Sequence, residues 1–381
     1  MRKAFISPSK YVQGEDELLN LGFYIQSLGE SALVIGNKED IDRVQDKLDK
    51  TAEKFNVKLY RADFGGEATR DEVERLKKIA EENETDVIVG LGGGKAIDTS
   101  KVVANGHNVI VCPTIAAQDA PTSHSAVLYT ADHQFDDYAY FIKNPDVVLM
   151  DTTVIAQAPS RFLVAGMGDT LATYYEARAT RRSNSNVNAG LPNGYHTGAT
   201  GPAKGTIAAM TLAEKSLEII FEKGYDAKIA ADNNIVTPAL EDIVEANTLL
   251  SGLGFESAGL AASHAIYNGL TVLDGPGNYY HGEQVAFTTF VQLVLENAPK
   301  SEINELLDFS ISVGLPVCLA DLDVEEVKYD EILEVAKKAC IPEESIHSMP
   351  FEITVEAVAQ AIIAADAIGR DYKEKNKKLK S

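Results

Sequence analysis

DVIVGLGGGKAID, residues 86–98, carries a short apolar run straight into Gly92, Gly93 and Gly94 and then into a helix-forming stretch that opens near Lys95. A strand ending in glycines at the start of a helix suits a phosphate. Without Cβ atoms the backbone can approach a pyrophosphate closely, and the free amides of the helix N-terminus point at the anion. The segment departs from two familiar loops. Lys95 stands where G-x-G-x-x-G needs its last glycine, and Ala96 stands where GxxxxGK[ST] needs Ser or Thr. The turn also follows the third predicted strand rather than the first. Read alone, the glycines equally suit a tight structural turn.

Working outward, the same rhythm surrounds this segment. SALVIG at 31–36 is followed by a helical pattern from Glu39 to Phe55, then VKLYRADF at 57–64 and a helix from about Thr69 to Glu82. Beyond the glycines, NVIVCP at 108–113 forms the next strand. Strands alternating with helices at this spacing predict a parallel sheet with helices on its faces. SAVLYT, DYAYFI and DVVLM follow too closely for crossover helices, so an antiparallel hairpin is expected to edge the sheet.

After Asp151 the pattern turns helical, with apolar periodicity over 160–181, 203–223, 238–251, 283–297, 302–313 and 354–370 and no convincing strand. Ala158-Pro159-Ser160 supplies a breaker and a cap, which places a boundary near residue 158. The fold class expected is an α/β N-terminal domain, residues 1–158, with a mostly parallel nucleotide-binding sheet, followed by an all-helical C-terminal domain, residues 159–381. Ser183 to Gly205, rich in Gly, Asn and Ser, predicts a long irregular loop, and Lys373 to Lys380 a solvated basic tail.

Composition narrows the function classes. A chain of 381 residues that is 45% apolar can bury a large core, and a formal charge of −22 opposes binding to nucleic acid or to an anionic membrane. Neither partner is expected. The first twenty residues lack a signal-type apolar run, and no stretch approaches the roughly 18 apolar residues of a membrane span, so a cytoplasmic location is expected. Cys112, Cys318 and Cys340 show no CxxC spacing and read as buried small hydrophobes.

A second polar loop, PTIAAQDAPTSHS at 113–125, leaves the strand after the glycine turn, so the two loops should face one another across the crevice of an open sheet. The helical half adds Asp169 in GMGDTLA, His264 in ASHAIYNGL and His281 in YYHGEQVA. One carboxylate and two imidazoles with an open fourth position would suit catalytic zinc. Spacing alone does not bring the three together, and each also fits a bland role: a first-turn carboxylate, a satisfied core histidine, a loop residue.

Taken in order, LGGGKAIDTSK at 91–101, PTIAAQDAPTS at 113–123, GMGDTLATYYEARA at 166–179, the stretch 236–271 around His264 and YYHGEQVAF at 279–287 resemble the glycerol dehydrogenases of the polyol and iron-containing alcohol dehydrogenase superfamily. That fold is shared with dehydroquinate synthase. The resemblance implies zinc on Asp169, His264 and His281, and NAD with its pyrophosphate on Gly92, Gly93, Gly94 and Lys95, beside Asp98. It further implies that Thr114, Ser123, Ser125 and Tyr129 line the nicotinamide side, that Asp119 contacts a small vicinal diol, and that the chain forms a homo-oligomer, often an octamer. Asn37 departs from the aspartate that relatives direct at the adenosine ribose, and Ala117 from a frequent serine. Iron-dependent relatives carry a histidine four residues after the ligand aspartate, where this chain has Thr173. The expected reaction is NAD-dependent oxidation of glycerol or a similar diol to the hydroxyketone. A glycerol-1-phosphate dehydrogenase is the nearest alternative, a dehydroquinate-synthase-like lyase another, and a non-catalytic cofactor-binding regulator the non-enzyme one.

Overall fold

The computed structural model describes residues 1–190 and 201–380. The chain opens with strand β1 (Lys10–Gly14) and helix α1 (Leu21–Gln26). It then winds β2 (Ser31–Gly36), α2 (Lys38–Phe55), β3 (Lys58–Asp63), α3 (Arg70–Glu82), β4 (Val87–Gly92), α4 (Gly94–Ala104) and β5 (Val109–Pro113). A hairpin of β6 (Ser125–Tyr129) and β7 (Phe135–Tyr140) follows, and β8 (Val147–Asp151) returns to the sheet. The six-stranded sheet has the order β1-β8-β5-β4-β2-β3 and is parallel throughout. β4, β5 and β8 are buried along their whole length, as strands covered on both faces must be.

The winding reverses at β2, which has β3 on one side and β4 on the other. The crevice beyond the carboxyl ends of β2 and β4 is therefore the switch point at which open α/β sheets take ligands. Asn37 and the three glycines lie at its two lips.

Ten helices complete the fold among the described residues: α5 (Thr152–Ala156), α6 (Ser160–Ser183), α7 (Ile207–Asp232), α8 (Pro238–Glu245), α9 (Ser251–Ala258), α10 (Ala262–Leu270), α11 (His281–Leu295), α12 (Lys300–Val313), α13 (Tyr329–Ala339) and α14 (Val355–Lys380). No strand follows β8 among those residues. The Thr206 hydroxyl accepts from the amide of Ala209, and the Thr237 hydroxyl from that of Leu240 with Pro238 behind it, so α7 and α8 each start on a capping threonine. Helix α6 packs against α7, α9 and α11 and is buried almost all round from Leu163 to Thr180. One apolar cluster joins the sheet, through Leu33 and Val111, to Leu171 and Ile243 of the helices. A second, including Phe287, Leu306, Val335 and Ile362, lies wholly among helices.

Several expectations need correcting. The β6–β7 hairpin does not edge the sheet; it forms its own two-stranded sheet, and β8 enters the main one between β5 and β1. β1 itself was not expected. The run at 238–251 is broken by a π-turn over Ala246–Leu250 and continues as α9, while the helix expected from 203 begins at Ile207 and reaches Asp232. Residues 373–380 prolong α14 rather than trailing free, with Lys373 paired to Asp321; the side chains of 377–380 lie outside the described residues. Of the loop expected between Ser183 and Gly205, residues 191–200 lie outside the described residues, and Asn188–Gly190 form a single 3-10 turn.

Candidate active site

The cluster at Asp169 begins with two glycines, Gly168 and Gly282. A Cβ on Gly168 would stand 2.2 Å from the carbonyl oxygen of Gly282, and a Cβ on Gly282 would stand 1.8 Å from that of Ala165. The backbones of α6 and α11 thus touch with no side chain between them. That contact sets His281, the first residue of α11, against α6, with Nε2 3.2 Å from Asp169 Oδ1. Arg161 of α6 fastens the joint by donating to both oxygens of Glu283, at 2.6 and 2.8 Å, while Glu283 accepts from the amide of Tyr280 at 2.8 Å.

His264 arrives from α10, its Nε2 3.5 Å from the same Asp169 oxygen. Its other ring nitrogen faces Glu176 at 2.6 Å, two helical turns along α6 from Asp169. The three ligand atoms of Asp169, His264 and His281 lie within 4.8 Å of one another. Asp169 is 1% exposed, and its Oδ1 accepts no well-formed hydrogen bond. Atoms bonded at roughly 2.1 Å in a tetrahedron stand about 3.4 Å apart, so the separations of 3.2 and 3.5 Å fit a single small cation. Burial alone would raise the Asp169 carboxyl, but His281 and His264 outweigh it and hold it well below the usual carboxylate range.

The loop after β5 connects this cluster to the glycine turn through two consecutive residues. A Cβ on Gly94 would fall 1.7 Å from the Gln118 side-chain nitrogen, so Gln118 rests directly on the turn. The amide of the next residue, Asp119, donates to Asp169 Oδ2 at 3.3 Å. The two loops do face one another. Asp119 Oδ2 accepts from the Ser251 hydroxyl at 2.9 Å, and Ser251 in turn meets the Thr173 hydroxyl at 2.7 Å. Burial first, and then the charge of Asp169, push the Asp119 carboxyl well above its ordinary range.

The other expected residues fall into two groups. At the crevice, Gly92 has φ +142°, which a side chain would strain, and its carbonyl accepts from the amide of Thr114 at 3.0 Å. Gly93 takes the N-cap position of α4. Asn37 occupies the N-cap position of α2, but its side chain makes no capping bond. Lys95 is held by Glu67 at 2.6 Å and lies over the Tyr129 ring at 5.1 Å, and His133 reaches the same Glu67 oxygen at 2.5 Å. Asp98, Ser123 and Ser125 take part in bonds that brace the scaffold. Asp98 accepts from the amide of Val127 at 3.0 Å. Buried Lys101 donates to Ala120 O, Ser123 Oγ and Ser125 O at 2.6, 3.2 and 3.1 Å.

Sequence reasoning missed Glu176, Glu67, Lys101, Ser251, Asn247 and Glu256. Asn247, within the π-turn, donates to the carbonyls of Ala116 and Leu163, both at 3.0 Å, and so ties the loop to α6. π-turns recur at functional sites because they re-aim side chains within a helix. Glu256 accepts from the amide and ring of His124 and from Asn144, anchoring the base of the hairpin. The available signal was a charge inside an otherwise apolar helix, as with Glu176 seven residues after Asp169.

A switch-point crevice is joined by one loop to a buried carboxylate flanked by two half-buried imidazoles, and the relatives of this chain place it among the oxidoreductases. The iron-containing alcohol dehydrogenase family model matches residues 8–152, and the chain belongs to that family. Its full-length likeness is to the glycerol dehydrogenases. It is 44% identical to the glycerol dehydrogenase of Escherichia coli O6:H1 over 98% of this chain and 99% of the relative, and 44% identical to that of Thermotoga maritima over 96% and 97%. The crystal structure of the Schizosaccharomyces pombe glycerol dehydrogenase superposes with a TM-score of 0.91 at 36% identity, covering 98% of this chain and 93% of that one.

Proposed function

We propose that the protein oxidises glycerol, or a closely related vicinal diol, to the hydroxyketone, with NAD as hydride acceptor and zinc on Asp169, His264 and His281. The observation that carries the reading is the orphaned, buried Oδ1 of Asp169 between two imidazoles, one residue's reach from the loop lying on the glycine turn. When bound, zinc supplies the Lewis acidity that eases loss of the hydroxyl proton, and NAD takes the hydride. The chain's own residues do the positioning. Gly92, Gly93, Gly94 and Lys95 would receive the pyrophosphate, and Thr114 and Tyr129 would line the nicotinamide side. Asp119, with Oδ2 occupied by Ser251, offers Oδ1 to the diol's second hydroxyl.

Zinc is favoured over iron by Thr173. It stands one turn after Asp169 and engages Ser251 at 2.7 Å, so it adds no fourth protein ligand. Absorbance at the NADH maximum, with glycerol, glycerol phosphate and a simple alcohol compared, tests the reading. NADH should form with glycerol; turnover of glycerol phosphate alone would overturn it.

Two substitutions sharpen the assignment. Asp119→Ala should cost diols about 1–3 kcal/mol more transition-state binding than mono-alcohols, the cost of losing one buried hydrogen bond to the second hydroxyl. Equal losses in kcat/KM on both substrate types would instead make Asp119 structural. Asn37→Asp should raise the NAD to NADP ratio of kcat/KM about tenfold, because a carboxylate beside the ribose repels a 2′-phosphate. The uncapped Asn37 side chain supports that placement, and an unchanged ratio would show that residue 37 does not meet the ribose.

A further inference from the structure

Glu176 makes three contacts that no part of the reaction above uses. It is fully buried on α6, and one carboxylate oxygen accepts from the amides of Ala261 and His264 at 2.9 and 3.0 Å. The other oxygen faces His264 Nδ1 at 2.6 Å and the ring's opposite nitrogen faces Asp169. The backbone bonds satisfy amides at the start of α10, where helical partners are missing. A carboxylate only accepts, so His264 must present N–H at Nδ1. The lone pair is then left on Nε2, the atom turned to Asp169.

We infer that Glu176 is a positioning residue for the metal centre: it fixes the His264 ring in the one tautomer that can bind a cation beside Asp169, and caps α10 at the same time. The inference rests on the metal reading of Asp169, His264 and His281. Hydrogen-bonded partners of this kind behind a ligating histidine set its orientation and basicity, and their loss costs metal affinity about 10–100-fold.

Glu176→Gln separates the two roles. The amide oxygen can keep both backbone bonds, which turns the NH2 group toward Nδ1. Nδ1 must then accept, which moves the ring proton to Nε2, against the cation. The cap survives and the ligand does not.

The experiment titrates Co²⁺, then Zn²⁺ against a chromophoric chelator, into metal-free wild type and Glu176→Gln, with melting of the metal-free proteins measured in parallel. The expected result is near-equal melting, a 10–100-fold weaker dissociation constant in the variant and loss of the tetrahedral Co²⁺ absorption. Equal affinity and spectra in the two proteins would overturn the inference while leaving the metal reading intact. Failure of wild type to bind either ion stoichiometrically would overturn the metal reading itself. A second arm does not depend on the variant folding: in zinc-loaded, 15N-labelled wild type, the His264 ring proton should be on Nδ1, and a proton on Nε2 would overturn the inference.

Discussion

Asp169→Asn is expected to lower kcat/KM for glycerol by at least about 1000-fold, roughly 4 kcal/mol of transition-state stabilisation, while NADH binding changes little. Asparagine is nearly the same shape, and its carbonyl oxygen can still accept from the Asp119 amide where Oδ2 does now at 3.3 Å. The loop and the glycine turn should therefore hold. What disappears is the negative charge set between His264 and His281, the only carboxylate in the three-residue cluster. Two neutral imidazoles and an amide make a poor site for a divalent cation. Metal content, NADH fluorescence and steady-state kinetics on one preparation check the expectation. A variant that keeps its metal and loses less than about tenfold in kcat/KM would remove Asp169 from the site.

Gly282→Ala should be nearly as damaging through packing rather than charge. Its Cβ would lie 1.8 Å from Ala165 O and 3.0 Å from the amide nitrogen of Asp169, so α11 must move off α6. The resulting strain costs about 1–3 kcal/mol of stability, and the movement draws His281 away from Asp169. Both the melting temperature and the affinity for Zn²⁺ should fall. Gly277→Ala, a few residues earlier with nothing within 4 Å of its Cβ, should change neither. If the two alanines behaved alike, the glycine contact would not be what brings His281 to Asp169.

The sheet and its glycine turn could be read from the residues because β2, β4, β5 and β8 are near-continuous apolar runs bounded by turn residues, as buried parallel strands must be. β1 escaped notice because KYVQG is polar and lies at the edge, where pairing with β8 rather than side-chain pattern makes it a strand. The interruption of α8 by a π-turn left no mark on the periodicity, since the buried face continues through Ala246 and Leu250. Convergence of Asp169, His264 and His281 was not legible in their spacing. It depends on the Gly168–Gly282 contact between helices more than a hundred residues apart in sequence, and only the resemblance of whole segments named the three together. Glu176 and Lys101 were missed for a related reason: charges on helices read as solvent-facing, whereas both are buried with hydrogen-bond partners on neighbouring elements.

Elemental analysis of protein purified without added metal, paired with glycerol-dependent NADH formation before and after chelation, tests whether zinc on Asp169, His264 and His281 supports the oxidation. Zinc near one equivalent per chain is expected, with loss of activity when it is stripped and recovery on returning Zn²⁺. Stoichiometric iron with full activity, or undiminished turnover of glycerol by metal-free protein, would contradict it.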